Sequence, residues 1–279
     1  MADTALTSAA TPGDVAAARV KRVARSTLRP TRMLPPVIAF AAAAALWQLV
    51  AIANPYVLPR IDAVISTLVG NPGMYFTNFL VTFQEVLVGA ASGVVAGFLV
   101  AVIMAEFEVV ERALMPLVVI VMVTPIVAIA PALVVAFGFG MVPKYIVTAL
   151  VVFFPMLVNS LAGLRSVDTG ALAVMRTLHA NRWEVFRVLR FPGSMPYVFA
   201  GLRIALPLAV VGAAVAEFVA AGTQAGLGSL VTTAAAQANL EVTWAAIVLL
   251  AQLGVLLIMA LAVVRRRVLW WVDGEVTAR

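Results

Sequence analysis

The polar groups of the second half of this chain are concentrated in one stretch, Val167 to Pro192, VDTGALAVMRTLHANRWEVFRVLRFP. It holds Arg176, Arg182, Arg187, Arg190 and the only histidine, His179. Guanidinium groups and a lone imidazole, with no convergent catalytic partner, are not an acid–base or nucleophilic set. There are no cysteines, so disulfides and thiolate metal sites are excluded, and one histidine among scattered acids has no metal-ligand spacing. No GxxxxGK[ST] loop is present to cradle a phosphate, so ATP is not held by this chain in that way. The chemistry left to the stretch is binding.

Its pattern reads as two short helices joined by a bend. Ala171, Val174, Met175 and Leu178 fall at i, i+3, i+4, i+7 and share one face, with Asp168 as N-cap. His179 and Ala180 form the bend. Asn181 opens the second helix, and Glu184 three residues on completes a capping-box signal. Val185, Phe186 and Leu189 make its apolar side, and Pro192 is expected to follow its end. The result is a stiff amphipathic elbow suited to being gripped by another protein.

The elements around the elbow belong to a membrane protein. Hydrophobic residues make 63% of the chain, charged residues 11%, and mean hydropathy is +1.07, far from the quarter charged of a soluble domain. The net charge of +6 brackets apolar segments and forms no basic stripe, so it speaks against nucleic acid and for the positive-inside rule. The fold expected is all-α, with six transmembrane helices at about 34–53, 79–105, 114–137, 142–164, 195–220 and 242–264. Residues 1–33 read as a basic N-terminal tail, 34–272 as the membrane domain with the elbow at 168–192, and 273–279 as a short C-terminal tail. Residues 54–76 and 222–241 read as loops, with a short helix allowed at 61–69. Gly89, Gly93 and Gly97 form a small-xxx-small face, with Glu85 one turn earlier. Six spans from a cytoplasmic N-terminus leave only Arg60 and Lys144 of nineteen basic residues on or near the outside. Both termini and the elbow are therefore expected in the cytoplasm.

The elbow also resembles the coupling loop of binding-protein-dependent ABC importer permeases, written E-A-A, three residues, Gly, nine residues, Ile, one residue, Leu-Pro. Here the triplet falls on Ala173, Val174 and Met175, the glycine on His179, the isoleucine on Leu189 and the Leu-Pro on Phe191-Pro192. Spacing and proline are kept; the triplet and the glycine are not. The flanks FFPMLVNSLAGLRSVD and MPYVFAGLRIALPLAVVGAAVAEFVAAGTQAGLG, with VTPIVAIAPALVVAFGFG at 123–140, resemble the subgroup serving sulfonates, taurine, nitrate and vitamin precursors. The likeness covers roughly Leu58 to Trp271. It implies a non-catalytic permease forming half of a pathway for a small solute. It also implies a second permease subunit (a homodimer favoured), two cytoplasmic ATPases carrying ATP and Mg, and an extracytoplasmic binding protein. No cofactor is expected on this chain.

Under that resemblance Ala171, Val174, Met175, Leu178, His179, Ala180 and Asn181 are the candidate ATPase-coupling residues. Thr124, Pro125, Pro131, Phe154, Asn159 and Glu217 are candidates for the path or gate. Each has a plainer reading. Pro125 and Pro131 also fit simple kinks, Asn159 a helix–helix hydrogen bond, and Glu217 an interhelical tether. Glu85 fits a lining position, or a packed seam with an arginine or backbone amide as partner. An ionisable group in lipid costs roughly 2.5–3.5 kcal/mol on insertion scales, so each needs a partner or a task. A secondary transporter or channel without an ATPase is the rival reading of the whole chain. A membrane enzyme is disfavoured by the lack of paired catalytic groups.

Overall fold

The computed structural model describes residues 30–219 and 225–270. Residues 1–29 of the expected N-terminal tail and the whole C-terminal tail lie outside the described residues, as does Trp271. The chain divides at Ile61 into two units, each taken by itself.

In the first unit, α1 (Pro30–Ala53) contains the first expected span and begins a turn earlier than expected, so Pro35 and Pro36 lie inside it. After the helix the chain turns back on itself. The Trp47 indole donates to the Pro59 carbonyl at 2.9 Å, and the Ile61 N–H donates to Gln48 Oε1 at 3.1 Å.

From there the order is α2 (Ile61–Gly70), α3 (Pro72–Glu106), α4 (Glu108–Val123), α5 (Ile126–Phe137), α6 (Met141–Arg165), α7 (Thr169–Thr177) and α8 (Arg182–Val185). A π-helical turn at Phe186–Arg190 leads into α9 (Phe191–Val219), followed by α10 (Leu227–Ala236) and α11 (Leu240–Val268). Four single helical segments of this unit are long and apolar enough to cross a membrane, and α1 is a fifth. The third expected span, 114–137, is not one helix. It is α4 and α5, bent by 96° at Thr124–Pro125. Proline cannot donate to the preceding turn and biases the residue before it away from helix. Thr124 accordingly leaves the helical region, while Pro131 is accommodated inside α5.

Two expected loops also hold helix. α3 starts at Pro72, a favoured first-turn residue, rather than near Phe79. The stretch 222–241 contains α10, whose alanines and threonines lack the periodicity that announces a helix.

α6 lies at the centre, packed along its length against α3 on one side and α9 on the other. The glycine face of α3 is what brings α3 and α6 backbone to backbone. A β-carbon at Gly93 would stand 2.5 Å from the Ala149 carbonyl oxygen, and one at Gly97 would stand 2.7 Å from that of Phe153. At Gly89 it would collide with Thr148. On the α9 side Gly201 rests against Asn159, Gly212 against Thr148, and Gly163 of α6 against Tyr197. Val86, Met156, Ala209, Ala213 and Leu253 fill the centre; Met104, Leu157, Leu161 and Leu164 fill the end nearer the elbow.

Lys144, expected on or near the outside, is buried. Its ammonium donates to Glu85 Oε1 at 2.8 Å, with both side chains essentially sealed from solvent. Glu85 thus sits in the α3–α6 seam, with lysine as the partner in place of an arginine or backbone amide. Removing one member of a buried pair strands the other charge and costs about 3–5 kcal/mol, whereas apolar replacement of both is often neutral. Lys144→Met should lower the thermal midpoint of the detergent-purified protein by that measure, and Glu85→Leu/Lys144→Met should recover most of the loss. A double variant no more stable than Lys144→Met would refute the pairing as the source of the effect.

Candidate functional site

The elbow is built from its caps. Asp168 Oδ2 accepts from the Ala171 N–H at 2.8 Å and opens α7. The far end closes with His179 in the left-handed region at φ 53°, its N–H donating to Arg176, while the Ala180 N–H donates to Met175. Those two bonds are the Schellman closure, in which the left-handed residue is usually glycine. Asn181 then opens α8 with a reciprocal capping box. Its Oδ1 accepts from the Glu184 N–H at 2.9 Å, and Glu184 accepts from the Asn181 N–H at 2.8 Å.

The second elbow helix does not stop before Pro192. It passes through the π-helical turn, where the Phe191 N–H donates to Phe186, and continues into α9. The lengthened ladder lets the chain pass the missing N–H of Pro192 without a break. On the elbow surface Val174 is 57% exposed, Leu178 70% and Trp183 66%. Ala171, Met175 and Ala180 are half-buried, and His179 and Asn181 are exposed.

The elbow is tied to the rest of the unit by groups whose pairing the sequence did not announce. Arg165, the last residue of α6, makes a two-point contact with Glu111 of α4, one of the two hydrogen bonds measuring 2.7 Å. Arg190, at the end of the π-helical turn, pairs with Glu106 at the end of α3. Aromatic rings continue the tie: Trp183 stacks on Phe186, Phe186 meets Phe191, and Phe191 meets Phe98 of α3 edge-on. The available signal was the acid-rich connector Glu106–Arg112, set among arginines.

A cavity of about 570 Å³ lies between the α4–α5 break, α6 and α9. It unites four of the candidate path residues, Thr124, Pro125, Phe154 and Asn159, and among the described residues its lining includes no ionisable side chain. Thr124 Oγ1 donates to Ile120 and Asn159 Nδ2 to Pro155, each within its own helix turn, which leaves the Asn159 carbonyl oxygen available. Non-helical backbone at membrane depth is tolerated only in protein or beside a polar cavity. The break at Thr124–Pro125 borders this cavity.

Pro131 and Glu217 are not among the cavity-lining residues. Pro131 is exposed on α5. Glu217 is completely buried and closes the N-terminus of α10. Its carboxylate accepts from the N–H groups of Gly228 and Ser229, and its Oε1 accepts from Thr82 Oγ1 at 2.7 Å. Thr82 Oγ1 in turn accepts from the Leu227 N–H at 2.8 Å, and Asn78 Oδ1 from that of Gly226 at 2.7 Å. The orphan donors of a helix start are thereby satisfied by α3 and α9 side chains, with a carboxylate at the positive end of the helix dipole. Gly226, at φ 152°, and Gly228 leave room for that carboxylate.

Glu217→Ala should therefore strand two buried N–H groups at about 1–3 kcal/mol each, read as a lowered thermal midpoint. Glu217→Gln, which keeps an acceptor, should lose less, and Gly226→Ala should destabilise both by collision with the carboxylate and by its backbone at φ 152°, which L-residues rarely adopt. Equal effects of the alanine and glutamine variants would refute the capping role.

The chain matches the family of binding-protein-dependent transport system inner membrane components over residues 93–270. It is 35% identical over 231 residues to the formylaminopyrimidine transport permease protein ThiX of Halalkalibacterium halodurans, covering 82% of this chain and 92% of that protein. It is 28% identical over 230 residues to the taurine transport system permease protein TauC of Escherichia coli, covering 80% and 82%. The riboflavin transport system permease protein RibX of Chloroflexus aurantiacus is 33% identical over 161 residues, 58% of this chain and 59% of that protein. These matches agree with the subgroup that the flanks of the elbow resemble. With the family match running from the glycine face of α3 through the cavity and elbow to the end of α11, the chain belongs to the binding-protein-dependent transport system inner membrane components, the multi-pass membrane permeases of ABC importers.

Proposed function

We propose that this permease forms half of the pathway of an ATP-driven importer, with the elbow as its contact for a cytoplasmic ATPase. ATP and Mg are held by the ATPase subunits, and this chain has no chemistry of its own. A second permease subunit, most simply another copy of this chain, completes the pathway, and an extracytoplasmic binding protein delivers the solute. Both termini and the elbow face the cytoplasm, a reading supported by the arginine-rich elbow and by Arg265, Arg266 and Arg267 at the end of α11.

The observation that carries the reading is the surface of the elbow. Val174 and Leu178 stand exposed on a short helix that is capped at both ends and lies between two of the long apolar segments rather than within one. The cavity would be the share of the pathway that this subunit contributes. Its uncharged walls favour selection by shape and by hydrogen bonds to amide and backbone groups. The relatives named above are described as permeases for formylaminopyrimidine, riboflavin and taurine, which makes those three solutes the first panel for uptake assays.

Burying a leucine is worth roughly 1.5–3 kcal/mol, so Leu178→Asp should abolish copurification of the ATPase and ATP-dependent uptake while leaving membrane insertion intact. Met175→Asp should do the same but also disturb the elbow, because Met175 is half-buried in this chain. A Leu178→Asp permease that still bound its ATPase at full occupancy would remove the elbow from the joint. For orientation, topology reporters fused after Gly70 and after Thr169 should read outside and inside. An inside reading at Gly70 with an outside one at Thr169 would invert the protein and place the elbow beyond a cytoplasmic ATPase's reach.

A further inference from the structure

Between Asp168 and Arg190 the elbow carries four arginines against two carboxylates, and the fold does not use them alike. Both carboxylates are committed to helix caps: Asp168 holds the Ala171 N–H and Glu184 the Asn181 N–H. Arg190 is half-buried and held by Glu106. Arg176, Arg182 and Arg187 are exposed, and none of the three forms an ion pair among the described residues. Where the family pattern has its acid this chain has Ala173, also exposed. The elbow surface thus has an excess of positive charge and no uncommitted anion to offset it.

Apolar side chains share that surface. Val174 and Leu178 stand one turn apart, and Trp183 is held in place by stacking on Phe186 while most of its ring remains exposed. Arg187 follows Trp183 at i+4 along a continuous helical backbone, so the two are neighbours on one side. An ordered tryptophan beside arginines and aliphatic groups is the composition of residues that dominate protein contacts. Exposed ion pairs add little affinity, but charges at the edge of a contact steer encounter and set its salt dependence.

Resting on the reading of the elbow as the ATPase contact, we propose that the cognate ATPase meets it with a groove that is apolar at its centre and carries carboxylates at its rim. Val174, Leu178 and Trp183 enter the centre, and Arg176, Arg182 and Arg187 select the partner. An ATPase with a neutral or basic rim would meet three guanidiniums without answering charges, and the mismatch discriminates against it. The apolar residues govern how long the complex lasts; the arginines govern how fast it forms.

The test uses the full permease in nanodiscs of neutral phosphatidylcholine and its purified cognate ATPase. Arg176→Gln/Arg182→Gln/Arg187→Gln should slow association about tenfold or more and change dissociation less than about twofold. Raising the salt should slow the parent and hardly affect the variant. A parent indifferent to salt, or a variant that associates at the parental rate, overturns the proposal. So does a variant that binds the ATPase as the parent does and has lost only a response to anionic lipid in the disc, which would make the arginines headgroup contacts. The groove's acids are read directly by Arg176→Lys, Arg182→Lys and Arg187→Lys, made singly. Each keeps the charge and adds an amine that a carbodiimide joins to a touching carboxylate. Lys144 is buried, so Lys21 is the one other lysine to set aside. A crosslink from the substituted position to an Asp or Glu of the ATPase is expected; complexes that form without one at any of the three positions overturn the proposal. Leu178→Asp judges the docking reading separately. If it abolishes binding while the triple glutamine variant behaves as the parent, the elbow remains the contact and the charge selection alone falls.

Discussion

The constraint on which this structure depends is the approach of α3 and α9 to α6 at backbone distance. Lipid tails are as apolar as leucine, so helices in a bilayer gain little from hiding apolar side chains against one another. Dispersion between closely fitted surfaces takes over, and it requires that side chains be absent at the contact. Gly89, Gly93 and Gly97 provide this on α3, Gly201 and Gly212 on α9, and Gly163 on α6. The consequence is a division of labour within one unit: three helices that cannot slide without collision, and α4, which lacks such contacts.

Polar groups reinforce that division. At the end of the bundle remote from the elbow, Lys144 pairs with Glu85 Oε1, and Thr82 and Glu217 accept from the N–H groups at the start of α10. A stranded donor or charge at such depth costs several kcal/mol, so these networks resist opening. Around the cavity the arrangement differs. The break at Thr124–Pro125 interrupts a hydrogen-bond ladder, and Pro155 deprives the Val151 carbonyl of its usual donor inside α6. Backbone capacity is therefore available at the cavity wall.

Much of this was legible before any coordinates. Long apolar runs locate the spans, the glycine spacing marks a face for close packing, and Asp168, Asn181 and Glu184 cap the elbow helices as their types and spacing imply. What stayed hidden depends on groups far apart in the chain or on backbone geometry. Pro125 and Pro131 look alike as letters, but only Pro125 stands where the helix breaks, and a proline does not encode a 96° bend. α10 escaped because glycine, threonine and alanine read as loop when the carboxylate capping its start lies on another helix. Lys144 escaped because a lysine near a span end is ordinarily at the interface, and nothing local names Glu85 as its partner. Of the candidate path residues, those flanking proline-disturbed helix gathered at the cavity. Glu217 instead joined the capping network, which sequence spacing alone does not distinguish from a lining position.

The departure of the elbow from its family pattern bears on how such a joint is specified. His179 stands where the pattern has glycine and adopts the left-handed conformation that glycine favours, at a cost of roughly 1–2 kcal/mol for an L-residue. Yet both bonds of the helix closure form, and helix caps bracket the bend at Asp168 and at Asn181 with Glu184. These five hydrogen bonds at net values of about 0.5–1.5 kcal/mol each exceed that cost. The elbow can therefore keep its shape while the triplet reads Ala-Val-Met and the glycine reads His. What must be preserved is the direction in which Val174 and Leu178 point and the two arginines that brace the ends. Those depend on cap geometry and charge placement more than on the letters by which the motif is recognised.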